Sequence, residues 1–180
     1  MNIDPIEIIK RFYSPSGLLY ALLVKHSADV ANLAVEVVRK HPELGADEQF
    51  VREAAMLHDI GVCRTDAPDI YCFGTEPYIR HGFLGAEMLR EIGFPMHARV
   101  AERHTGTGLT PEVLAEKGII LPPGIYTPQS IEEKIVCFAD KFFSKSNPDR
   151  MKSPDKIRKS MAKYGEESVK RWDDMYALFG

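Results

Sequence analysis

The spacing of apolar residues constrains this chain more than any other feature, because it keeps close to the helical period almost from end to end. Val30, Leu33, Ala34, Val37 and Val38 recur at i, i+3, i+4, i+7 and i+8, as on a helix with one buried face. Phe50, Val51, Ala54, Ala55 and Leu57 repeat the pattern, and so do Ile131, Ile135, Phe138, Ala139 and Phe142. The punctuation agrees. Asp4-Pro5, Ser14-Pro15, Asp47, Thr110-Pro111 and Ser153-Pro154 have the form of helix starts, and Ser130-Ile131-Glu132-Glu133 has that of a capping box. Gly45, Gly61, Gly93 and Gly118 stand where helices stop. A helix is expected from about Glu76 to Ile92. Residues 62–77 read as a loop around Pro68, Gly74 and Pro77, and 119–129 as a second, stiffer one. A polar break runs from Ser144 to Asp149. No strand alternation and no repeat is found, so the expected fold class is all-α, a helical bundle.

With 180 residues, one domain over 1–180 is the default. The 23 basic and 26 acidic side chains leave a net charge of −3, which excludes a strongly basic nucleic-acid wrapper; no extended nucleic-acid partner is expected. No apolar run approaches a membrane span, and residues 1–5 lack the basic start of a signal peptide, so no membrane partner is expected. Cys63, Cys72 and Cys137 are odd in number and form no Cys-x-x-Cys, which fits a reducing, cytoplasmic location.

Chemistry concentrates at helix ends. His26 lies early in the second helix, His58-Asp59 closes the third, His81 lies in the first turns of the fourth and His104 ends the fifth. Imidazoles with carboxylates suit Mn, Fe, Zn, Ni or Co. The plain alternative is that each histidine is a surface or hydrogen-bonded core residue, and His41 and His97 are read that way. Asp140 resists the plain alternative. It follows Val136, Cys137, Phe138 and Ala139 and precedes Phe142 and Phe143, where a lone carboxylate is costly to bury.

The string His58-Asp59-Ile60-Gly61, with His26 before it and Asp140 after it, resembles the HDIG signature of the HD-domain superfamily of metal-dependent phosphohydrolases. The match is similar to a small prokaryotic HDIG group and has a motif core of about 18–143, leaving a C-terminal helical extension of about 153–179 outside it. The resemblance implies that His26, His58, Asp59 and Asp140 bind one metal, and that Asp59 bridges to a second held by His81 and His104. It implies one or two divalent ions per chain, among Fe, Mn, Co, Ni, Zn and Mg. The chain departs from the cyclic-di-GMP-cleaving subset: no Gly-Tyr-Pro follows, Thr105 stands where those enzymes have a second histidine, and Val62 stands where they have Lys.

The function these readings give is hydrolysis of a nucleotide or other small phosphate ester by metal-activated water. Asp59 would orient the nucleophile as bridging ligand and is the candidate catalytic residue. Arg64, Arg103 and Lys141 are the candidate substrate-binding cations, with Arg64 favoured for its place after the HDIG turn. Tyr71 and Phe73 are candidates for a lid, against a plain packing role. Two alternatives stay open: a non-catalytic metal- or nucleotide-binding regulatory module, and a di-iron oxygenase. Oligomeric state is open too.

Overall fold

The computed structural model describes residues 3–180; Met1 and Asn2, part of the opening read for a signal peptide, lie outside the described residues. Nine α-helices are found among the described residues: α1 (Pro5–Ile9), α2 (Leu18–Lys40), α3 (Glu48–Leu57), α4 (His81–Glu91), α5 (Pro95–Arg103), α6 (Pro111–Glu116), α7 (Ile131–Asp140), α8 (Pro154–Met161) and α9 (Glu166–Phe179). The fold is all-α in class. The side chains of Asp4, Asp47, Thr110 and Ser153 accept from first-turn amides, and Ser130 and Glu133 close a reciprocal capping box.

Three departures from the sequence reading stand out. The expected loop over 62–77 holds a miniature sheet of β1 (Thr65–Ala67), β2 (Cys72–Phe73) and β3 (Glu76–Pro77), in the order β2-β1-β3. Strands of two or three residues are too short to show an alternating pattern. The helix expected from Glu76 begins only at His81, because β3 and a 3-10 turn over Tyr78–Arg80 occupy its first positions. Third, α2 is long and apolar enough to cross a membrane, which a search for unbroken apolar runs misses because Lys25, His26 and Asp29 interrupt it. In this structure its inner face packs on α3 and α7.

Two hydrophobic clusters divide the interior. One gathers α2, α3 and α7 with the tail residues Ile157, Met161, Trp172, Met175 and Phe179. The other joins α1, the beginning of α2, Ile60 and Val62, α4 and α5. Along α2 the side chains pass from Leu23 in the second cluster to Val30 in the first, and His26 and Ser27 sit at the crossing. On α3, Ala55 belongs to one cluster and Leu57 to the other, and His58 follows. On α5, Val100 and Ala101 divide likewise just before His104. The polar centre lies on this seam, where helices from both clusters meet.

Candidate metal centre

His58 is the C-cap of α3, still in the αR region, and Asp59 leaves the helical path at φ −102°, ψ 11°. That break lets two consecutive residues face one centre, which mid-helix neighbours do not. The turn over Ile60–Arg64 then packs on the start of α4. A Cβ on Gly61 would collide with the His81 carbonyl oxygen and the Gly85 amide. Glycine here lets the His58-Asp59 turn approach the helix that carries His81. The hydroxyl of Tyr13 ties the same turn, donating to the Ile60 carbonyl at 2.6 Å and accepting from the Cys63 amide at 3.1 Å.

The six residues carried over from the resemblance converge. Asp59 Oδ2 lies 3.1 Å from Nε2 of both His26 and His58. Asp140 Oδ1 lies 3.1 Å from His26 Nε2 and 3.3 Å from His58 Nε2. The other oxygen, Asp59 Oδ1, is 3.3 Å from Nε2 of both His81 and His104. Asp59 thus divides its two oxygens between two groups of donors, each compact enough for one ion. All six residues are buried.

Tautomers follow from the second ring nitrogens. Nδ1 of His58, His81 and His104 donates to the carbonyls of Ala55, Tyr78 and Ala101 at 2.6, 2.7 and 2.7 Å. A carbonyl only accepts, so those nitrogens hold the proton and Nε2 is turned inward, the arrangement common to metal-bound histidines. Burial pushes His81 down to about 3 and lowers His104 as well, so both rings are neutral near pH 7. Their inward lone pairs stand 3.0 Å apart and both face Asp59 Oδ1, a buried oxygen with no hydrogen-bond donor. Three acceptors around one point, with no proton among them, form a site that a cation completes. The residues present therefore fit a divalent metal.

The first group behaves differently without metal. Burial opposes a charge on His58, yet the carboxylates of Asp59 and Asp140 outweigh it and raise its pKa to about 9. Burial works against ionised Asp59 and Asp140 too. Asp59 is nonetheless held well below the usual carboxylate range by His58 and Lys145, and Asp140 by Lys141 and the two histidines. Lys145 Nζ bonds Asp59 Oδ2, and Lys141 Nζ bonds Asp140 Oδ2 at 2.7 Å and the His104 carbonyl at 2.9 Å. Two carboxylates against two ammonium groups and a protonated His58 leave the metal-free centre with no net negative charge near neutral pH.

A cavity of about 390 Å³ opens onto His81, His104 and Asp140, with Tyr78, Lys141, Lys145 and Lys152 in its walls. This placement corrects several expectations. Asp59, the candidate catalytic residue, is fully buried and does not line the cavity. Arg103 points away: its guanidinium is held by Glu133 at 3.0 Å and by the Ile125 carbonyl. Arg64 is exposed and absent from the lining; its carbonyl accepts from the Thr75 amide, between β2 and β3. Lys141 lines the cavity but is engaged by Asp140 and His104. Tyr71 and Phe73 are both exposed and neither borders the cavity; its aromatic lining comes from Phe143, Tyr164 and Tyr78, the last stacked on His81 at 4.6 Å. His97 is buried with Nε2 3.3 Å from Glu53, and His41 pairs with Glu43, both apart from the centre. No cysteine belongs to the donor groups.

Sequence reasoning missed Lys145 and Lys152. Each lies in or beside the polar break after α7, where a lysine reads as a solvated charge. The one legible signal was the spacing of Lys145, one helical turn and a residue beyond Asp140.

A family model for the HD domain matches residues 23–144, a span holding all six donors. The chain belongs to the HD-domain family. This HD protein is 36% identical over 169 residues to Uncharacterized protein MJ0778 of Methanocaldococcus jannaschii, covering 92% of this chain and 89% of that one. It is 36% identical over 123 residues to a protein of Thermoplasma volcanium named tRNA (cytidine(56)-2'-O)-methyltransferase, which matches 68% of this chain but spans only 32% of that longer protein. In fold it is similar to the HD domain of the Listeria monocytogenes phosphodiesterase PgpH, with a TM-score of 0.57, 21% identity, and coverage of 99% of this chain and 96% of that one. That domain has also been solved in complex with cyclic-di-AMP.

Proposed function

We propose that this HD protein is a metal-dependent phosphohydrolase with a two-metal centre, acting on a nucleotide or another small phosphate ester. The observation that carries the reading is the division of Asp59: one carboxylate oxygen for His26, His58 and Asp140, the other for His81 and His104. A carboxylate so shared is the natural bridge of a dinuclear site. Divalent ions held there supply Lewis acidity toward phosphoryl oxygens and lower the pKa of water.

The chain's own residues do the rest. The backbone bonds at Nδ1 fix three imidazoles in the binding tautomer before any ion arrives. Lys141 anchors Asp140 and the end of α5 from the cavity side. Because the metal-free centre carries no net negative charge, divalent ions bound there leave a positive charge that an anion can meet, which favours a phosphate over a neutral substrate. PgpH, the fold neighbour, is a phosphodiesterase seen with a cyclic dinucleotide, and this supports a nucleotide as one substrate class to test.

The test is direct. Protein purified without chelator is assayed for metal per chain and screened on p-nitrophenyl esters and nucleotides with Mn, Fe, Co and Ni. Asp59→Ala is expected to lose both metal and turnover. Full turnover in that variant would refute the assignment.

A further inference from the structure

The cavity wall facing His81 and His104 comes largely from residues 141–164, most of them beyond the family match that ends at 144. Two ammonium groups in that wall lack a lasting structural partner. Lys145 Nζ bonds Asp59 Oδ2, the oxygen that also faces His26 and His58. A divalent ion among those groups competes for that oxygen, and at equal distance a double charge outbids a single one. Lys145 is then left lining the cavity. Lys152 is half-buried beside it. Its Nζ makes a 3.4 Å bond to the Phe143 carbonyl and, among the described residues, has no carboxylate within ion-pair reach.

Resting on the two-metal reading above, we infer that Lys145 and Lys152 form an anion subsite that selects phosphate monoesters over diesters. The dianionic end of a monoester offers three free oxygens, enough for the metal centre and an ammonium together. A diester offers two oxygens and one charge. The cavity, near the small end of the ~300–1,000 Å³ typical of ligand sites, fits a molecule the size of a mononucleotide or sugar phosphate better than a cyclic dinucleotide.

The experiment compares wild type, Lys145→Met, Lys152→Met and Lys152→Arg. It measures manganese affinity, binding of inorganic phosphate to the manganese-loaded protein by calorimetry, and hydrolysis of p-nitrophenyl phosphate against bis-p-nitrophenyl phosphate. Each Met variant is expected to bind phosphate about tenfold more weakly, the loss of one charge-assisted hydrogen bond. Lys152→Arg keeps most of the affinity. Lys145→Met is expected to bind manganese more tightly while binding phosphate more weakly, a pair of opposite changes that general damage to the fold would not give. The monoester-to-diester ratio of kcat/KM falls in both Met variants. Unchanged phosphate affinity in both, or equal loss on both esters, overturns the subsite. If the wild type cleaves neither ester, the hydrolase reading fails, and the phosphate titration still decides the subsite.

Discussion

At the scale of single residues, the centre is organised by where protons are forbidden. His81 and His104 hold their protons on the outer nitrogen and are too deeply buried to take another, so the second group is ready for an ion near neutral pH. His58 is the opposite case. Its pKa is raised by two carboxylates, so in the metal-free protein it stabilises the fold fully below about pH 6.5, and that contribution is lost as pH rises through about 9. An ion entering the first group must displace that proton. Metal titration at pH 7.5 is therefore expected to release about one proton from His58 with the first ion and none from His81 or His104 with the second, the His58 release falling towards zero above about pH 10. Calorimetry in buffers of different ionisation enthalpy measures both numbers, and a first ion that releases no proton at pH 7.5 would contradict a protonated His58. His81→Ala and His104→Ala are each expected to lower the metal content by about half with the fold intact; unchanged content would mean a single-ion centre.

At the scale of elements, close packing between the turn after Asp59 and the start of α4 sets the distance between the two groups. Gly61→Ala forces that contact apart, at a cost of about 1–3 kcal/mol for overpacking. Since His81 rides on α4 and His26 does not, the variant is expected to keep the first ion and lose much of the second, visible as metal content falling from two towards one per chain. The order of the helices and the starts capped by Asp4, Asp47, Thr110, Ser130 and Ser153 were legible in the sequence because caps and apolar spacing are local signals, whereas Ser14-Pro15 precedes a turn and α2 begins at Leu18 behind Gly17. The miniature sheet was not, since its strands are too short to carry a period. Neither was the fate of Arg64 and Arg103: proximity along the chain placed them near the ligands, while the partner that captures Arg103, Glu133, lies thirty positions away. The ligands could be nominated from the HDIG string, but their convergence depends on the helix packing that only the three-dimensional structure supplies.

At the scale of the whole molecule, the front of the chain supplies the six candidate metal donors and the back supplies much of the cavity wall. The tail beyond the family match is not an appendage: Trp172 is buried and stacks on Phe138 of α7 at 5.4 Å, with Phe179 and Phe142 around it. Trp172→Ala is expected to lower the unfolding free energy by roughly 3–5 kcal/mol in urea denaturation. Metal content per folded chain should stay unchanged, because no ligand lies beyond Asp140; loss of metal would show that α9 also holds the ligand scaffold in place.

The placement of His26 through Asp140 ahead of the segment that closes the cavity has a consequence for synthesis. A nascent chain leaves the ribosome with its full chelating set before Lys145, Lys152 and the last two helices have emerged. The donor set is therefore complete at Asp140, while the cavity wall is complete only at Tyr164, so the two are finished at separate points of synthesis.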